Sequence, residues 1–433
     1  MKRCVLLISV LIGASTAGLD AQAVPEGSQA TKVDRGYRRP SSFRVDPFRH
    51  VMIPHWGFVF SMGATSENTA LNLADVEALR YLNDNDQILP GDIIDVLGLI
   101  PAGQGIQAVG TAEGGFYLGG PIGSHLSIGL SAQSRAYGAA RVDDEAVALL
   151  RDGNLVQQEF DLGDTGGTGL ATAELGAHAV LRFGPLGSED GVHLGLGIGG
   201  RLVRAGAYIQ AGPRAGSAQR IAATIDSIVT DLEFERLQTP LSGVADFTDR
   251  FRNGSAGLAA DFLVRLEWPT SGFAIEAVLA NIGSVTISGV ERDTASLMIA
   301  TNNPRDDVPA AFDALQFMPQ DTIDLDVRLP RILRFSAGAW ANKILQVDIS
   351  ATMPVSGTFE MPPIVDIGTT WRFVRHLPLR AGLVLGGLQG HGYTAGFAVE
   401  ARNVFFQVAG QSLGGLFRNA KGAGARIDFG IFF

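Results

Sequence analysis

Cysteine is nearly absent from this chain: Cys4 is the only one. It stands ahead of a short apolar stretch, not at its end, so it is not placed as a lipid-attachment point. If the leader that contains it is removed, disulfides and thiolate chemistry are excluded. Long hydrophobic runs are also missing. Beyond the N-terminus nothing approaches the roughly 20 apolar residues that a membrane-spanning helix needs. Basic charge is in the minority, with 34 Lys and Arg against 44 Asp and Glu and a formal net charge of -10. That balance argues against nucleic acid as a partner, because such binding draws on clustered Lys and Arg. His50, His55, His125, His178, His193, His376 and His391 never share a helical i, i+4 spacing with a Glu: Glu174 and His178 fall in a strand pattern, and Glu189 and His193 span a tight link. No metal site and no cofactor is therefore expected.

The chain opens on "MKRCVLLISVLIGASTAGLDAQA", which reads as a secretory signal. Lys2 and Arg3 supply its positive start, Val5 to Ile12 its apolar core, and Ala21-Gln22-Ala23 a small-x-small cleavage site. Loss of Lys2, Arg3 and Asp20 would move the net charge to about -11. Residues 24–54, with Pro25, Pro40, Pro47 and Pro54, read as an extended N-terminal segment, either periplasmic or a lumenal plug. The remainder, 55–433, reads as one barrel. Fifty-five glycines without a collagen period suit sharply bent, close-packed strands.

Charge parity supplies the fold. In "GLATAELGAHAVLRFG" (169–184), Thr172, Glu174, His178 and Arg182 all hold even positions, and the odd positions are Gly, Ala, Leu or Phe. Alternate side chains of a strand face opposite ways, so one face is apolar and the other charged. The same separation recurs at 256–268, 345–353 and 364–373. Fourteen candidate strands follow, at about 55–63, 112–119, 124–138, 168–184, 190–206, 255–268, 271–288, 330–342, 344–353, 362–374, 377–388, 391–400, 403–412 and 421–433. The links after even-numbered strands are tight, such as "GPIG" (120–123) and "PTSG" (269–272). Four links on the other side are long: 64–111, 139–167, 207–254 and 289–329. Short turns on one side and long loops on the other are the pattern of a transmembrane antiparallel β-barrel of the outer membrane. Within the long loops, 72–84, 91–100, 143–154 and 218–237 carry apolar residues at helical spacing, which predicts helices. Trp56, Trp268 and Trp371 stand near strand ends, where interfacial girdles lie.

Two motif-like strings carry no chemistry. "GLGIGGR" (195–201) sits inside a strand with no following helix to receive a phosphate, so its glycines are read as making room for bulky lumen neighbours. "DNDQILPGDIID" (84–95) has Ile88 and Gly91 at the wrong positions for a calcium loop. No catalytic residue is assigned, since no Ser stands in a nucleophile context. The candidate site is a lumen polar network of Arg135, Glu174, His178, Arg182, Arg201, Asp261, Arg265, Glu267, Glu276, Arg334, Asp366, Arg372, Arg426 and Asp428. It reads either as a paired network that fills the barrel or as a polar passage that selects solutes. At the C-terminus, "ARIDFGIFF" puts Ile427, Phe429, Ile431 and Phe433 on one face. Phe429, Ile431 and Phe433 are the expected signal to the barrel assembly machinery.

Fourteen strands, a signal peptide and an N-terminal extension resemble the long-chain fatty-acid transporter (FadL-like) barrels. "DLGDTGGTGLATAELGAHAVLRFG" (161–184), preceded by an acidic helix running into Gly153-Asn154, and "LPRILRFSAGAW" (329–340) carry the likeness. They also resemble an uncharacterised Bacteroidetes-type outer-membrane barrel family. The chain shows no evident Asn-Pro-Ala hatch motif near its N-terminus, so no site residue is carried over from the resemblance. It implies passive uptake of a small hydrophobic molecule, with outer-membrane lipid and the assembly machinery as partners. The alternatives are a structural barrel whose loops dock a surface or secreted protein, and an outer-membrane hydrolase.

Overall fold

The computed structural model describes residues 47–433 apart from short interruptions, the longest at 76–97, 153–158, 187–190, 224–227, 241–248 and 302–315. Expectations for the leader, for 24–46, and for the helices over most of 72–84 and 91–100 lie outside the described residues. Eighteen strands are described. Fourteen form the wall: β1 (Gly57–Asn68), β2 (Ile106–Ile122), β3 (Leu126–Val142), β5 (Gly166–Leu186), β6 (Val192–Pro213), β9 (Ala256–Trp268), β10 (Phe273–Thr301), β12 (Arg331–Trp340), β13 (Leu345–Ser356), β14 (Ile364–Val374), β15 (Leu377–Gly386), β16 (His391–Glu400), β17 (Val404–Leu413) and β18 (Gly422–Phe432). Each pairs antiparallel with its neighbours, and β1 pairs with β18 from Gly57↔Phe432 to Glu67↔Gly422, which closes the ring. A closed ring leaves no edge of unpaired backbone in a lipid phase.

Four accessory strands, β4 (Glu159–Asp161), β7 (Arg220–Ala223), β8 (Ile228–Gln238) and β11 (Met318–Arg328), raise one side of the barrel into a tall sheet. This corrects one expectation. Residues 218–237 hold β7 and β8, not a helix. Ile228, Val229 and Thr230 are β-branched, and eleven residues of β8 pair with Glu291–Thr301 of β10. Tertiary pairing there overrides the helical spacing. The loop 289–329 likewise contains the upper half of β10 and all of β11. The helix expected at 143–154 is present as α1 (Asp144–Asp152), with Asp144 and Glu145 in its first turn.

The outward face is apolar through the middle of the wall. Leu130, Leu175, Ile198, Leu258, Phe262, Val264, Ile427 and Phe429 all point outward and are exposed. Trp268 packs beside Phe273 at a tight turn, and Trp56 Nε1 donates to Pro121 O at 3.1 Å near another. Such a belt, on strands of ten residues or more where roughly 9–11 are needed to cross a bilayer, defines a transmembrane barrel. Among the described residues no helix is long and apolar enough to cross a membrane.

Two of the register shifts in the wall bear on the lumen. In β6, Ala205 pairs with Thr172 and Ala207 with Ala171, which leaves Gly206 as the extra residue. In β10, Leu279 pairs with Phe262 and Ile282 with Ala260, so Ala280 and Asn281 together oppose Asp261. Asn281 takes φ +62°, a conformation Asn tolerates better than most side chains, and its side chain turns into the lumen.

Candidate functional site: a sealed lumen

The lumen is layered. On the extracellular side one flank is apolar, where Tyr137, Leu170, Val203, Tyr208, Val285 and Val327 pack with Phe359 from the β13–β14 connection. The Phe359 and Tyr137 rings lie 5.8 Å apart. Above the membrane band, burial pushes the Tyr208 phenol up to about 12, and its hydroxyl donates to Gln210 Oε1 at 2.6 Å. Beside this cluster a cavity of about 660 Å3 reaches Ala136, Gly169, Ala171 and Ile209 on the outer side of the wall.

A continuous belt of ion pairs and hydrogen bonds runs from the short-turn ends of β14 and β16 to mid-height on β6 and β9. Arg372 holds Glu400 at 2.7 Å, and Arg380 reaches Glu400 at 3.9 Å and Gln407 at 3.3 Å. Gln407 donates to Asp428 at 2.9 Å, Asp428 accepts from Arg426 Nε at 2.8 Å, and Arg426 Nη1 donates to Glu113 at 2.9 Å. Glu113 lies 3.8 Å from Arg135, whose Nη1 donates to Glu174 at 3.0 Å. Arg201 then bonds Glu174 and grips Asp261 through Nε and Nη2, both at 2.7 Å. His178 Nε2 closes on Asp261 at 3.2 Å. Asn281 is the hub between these groups. Its backbone N–H donates to Asp261 at 2.9 Å and its amide nitrogen to Pro330 O at 2.9 Å, while its Oδ1 accepts from Arg201 and Arg135.

Burial of charge costs several kcal/mol per ion unless it is paired and hydrogen-bonded. The belt answers that cost by sharing each carboxylate between two cations or amides. Arg201 and Arg426 are each 1% exposed and Asp261 is fully buried, so these side chains are out of contact with solvent.

Below the belt, residues 47–52 occupy the lumen. Phe48 packs with Val51, Met52, Val180, Leu263 and Val278, and meets His178 edge-on at 5.4 Å between ring centroids. His50 stacks against Tyr117 at 4.2 Å. The glycines of 195–201 make this possible. A Cβ at Gly197 would come within 2.9 Å of the Phe48 ring, and one at Gly199 within 2.1 Å of His178. Nearer the tight turns, Arg265 bridges Glu267 at 3.3 Å and Glu276 at 3.2 Å beside a cavity of about 260 Å3 lined by Met52, Arg182 and His193.

Of the sequence-derived set, Arg135, Glu174, His178, Arg201, Asp261, Arg372, Arg426 and Asp428 share one chain of contacts. Arg265, Glu267 and Glu276 form a separate cluster below it, with Arg182 beside them. Asp366 is fully buried on β14, and Arg334 stands on β12 in the row paired with Thr352. Glu113, Arg380 and Glu400 complete the belt and were not singled out, although Glu113 and Arg380 keep the parity of their strands. Gln133, Gln407, Ser61 and Asn281 carry no charge, so charge parity does not score them. On β18, Arg426, Asp428 and Phe432 face in, while Phe429, Ile431 and Phe433 face out. Phe433 N–H donates to Trp56 O at 2.9 Å across the closing seam.

No family model and no curated protein matches the chain. Solved structures similar to it include the Ralstonia pickettii toluene transporter TbuX, at 9% identity and TM-score 0.48 over 96% of this chain and 100% of that one. The P. putida toluene transporter TodX aligns at 9% identity and TM-score 0.48, over 92% and 95%. The translocator domain of the autotransporter NalP from Neisseria meningitidis aligns at 8% and 0.32, over 89% and 91%. The chain's own hydrogen-bonded ring and apolar belt make it an outer-membrane-type β-barrel. Its wall holds fourteen strands, the number expected from the sequence.

Proposed function

We propose that this barrel mediates passive uptake of a small hydrophobic molecule across the outer membrane. One observation carries the reading: an apolar flank of the upper lumen is stacked on a buried belt of paired charges. Ions and polar solutes gain nothing from the apolar flank and meet charges already engaged with one another below it. An apolar solute gains by leaving water there, at roughly 25 cal/mol per Å2 of surface buried. In the same reading residues 24–54 act as the lumenal plug, anchored by Phe48. The belt is the seal, and the outward Phe429, Ile431 and Phe433 are the assembly signal.

The test is uptake of monocyclic aromatics and medium-chain fatty acids by a deletion strain complemented with the full chain or with Phe359→Asp. Uptake should fall in the deletion strain, return with the wild type, and stay low with Phe359→Asp, which buries a carboxylate in the apolar layer. Unchanged uptake in the deletion strain would count heavily against the proposal.

A further inference from the structure

The outward face of the wall is not uniformly bulky. Registers place Gly114, Ser134 and Ala173 side by side on β2, β3 and β5, with Ala112, Ala136 and Ala171 in the next row toward the extracellular side. The row below carries Phe60, Phe116, Leu175 and Leu202. The rings of Phe60 and Phe116 stand 5.2 Å apart as one bank of a groove of about 570 Å3. Its floor is open: a Cβ at Gly114 would approach nothing closer than Met62 Cγ at 3.7 Å.

The groove ends at Arg204, which also lines it. Outward positions of β6 run Leu194, Leu196, Ile198, Gly200 and Leu202 before this first charge. Arg204 lies twelve residues up the strand from Val192. At about 3.3 Å per residue and a tilt near 40°, that is roughly 30 Å, the outer edge of an apolar band about 25 Å tall. Its Nη1 donates to the backbone O of Arg252.

We infer that this groove is a binding site for one lipid of the surrounding outer leaflet with a net anionic phosphate headgroup, its acyl chain on the small-residue floor and the headgroup on Arg204. Lipid is the medium this face meets. The floor is too hollow to fill its own surface, and Arg204 stands where an anionic headgroup lies. The site is separate from the lumen, and its failure would leave the uptake proposal standing.

The test is native mass spectrometry of the full-length barrel released from nanodiscs containing equal phosphatidylglycerol and phosphatidylcholine with identical chains. Wild type should retain one lipid and favour phosphatidylglycerol by about fivefold, the ratio one arginine at a membrane surface supports. Arg204→Glu should retain lipid with that preference abolished, and Ala173→Trp should retain none. Gly114→Leu, which fills the same floor, replaces Ala173→Trp if the latter fails to show the heat-shifted band of a folded barrel. Equal retention of both lipids by wild type, unchanged retention in the floor variants, or a dimer mass in place of bound lipid would each overturn the inference.

Discussion

Replacing Arg201 by Ala probes the belt at its most connected point. The side chain bonds Glu174, Asp261 and Asn281 and is 1% exposed, so its loss strands two carboxylates away from water. Breaking a buried pair by removing one partner costs about 3–5 kcal/mol. Two compensations remain in place: Arg135 still holds Glu174 at 3.0 Å and His178 still reaches Asp261 at 3.2 Å. The expected loss is therefore near the lower bound, about 3 kcal/mol, or roughly a hundredfold in the folding equilibrium. The control is Glu267→Gln at the lower mouth, whose side chain is 25% exposed; an exposed pair is worth no more than about 1 kcal/mol. Equilibrium unfolding of the barrel in lipid vesicles, read by tryptophan fluorescence and heat-shifted gel migration, measures both. A double-mutant cycle with Asp261→Asn should then return a coupling above about 1 kcal/mol, as contacting charges do. If Arg201→Ala cost no more than Glu267→Gln, the belt would not be the dry, shared network described, and the seal would lose its basis.

Three further outcomes follow from particular residues. Asn281→Ala should destabilise by about 3 kcal/mol through lost hydrogen bonds and a left-handed backbone, whereas Asn281→Gly should recover about 1 kcal/mol of that by removing the backbone cost alone. The same unfolding assay checks both. Ile198→Arg, on the lipid face, should cost about 2–4 kcal/mol in vesicles, and a neutral result would mean that this face does not meet lipid. Deleting Phe433 removes an outward aromatic and the seam bond to Trp56, so pulse-labelled cells should accumulate unfolded precursor. Normal insertion kinetics would argue against its role as the assembly signal.

Much of the architecture was legible because a lipid-facing surface tolerates almost no charge. That constraint writes itself into strand parity, as in 169–184, and all fourteen wall strands sit where parity places them. The same signal located Arg135, Glu174, Arg201, Asp261, Arg426 and Asp428. It failed where physics leaves no charge to count. Asn281 and Gln407 are neutral, and the bulge that aims Asn281 inward shifts the parity of β10 without any Gly or Pro to announce it. It failed also above the membrane, where water replaces lipid and parity relaxes. There β7 and β8 carry helical spacing yet pair as strands, because β10 offers an edge to β8, and β8 in turn to β7. The position of Phe48 under His178 was hidden too. Glycines at 197 and 199 say that something bulky lies opposite them, not which segment supplies it.

The most direct measurement is ion conductance of the full-length barrel in a planar bilayer. With Arg201, Asp261 and Arg426 dry and paired at mid-height and residues 47–52 beneath them, insertion should give no stable open-channel current at moderate voltage. A steady, ohmic conductance of the kind a water-filled porin shows would contradict a sealed lumen, and with it the reading of this barrel as a path for apolar solutes.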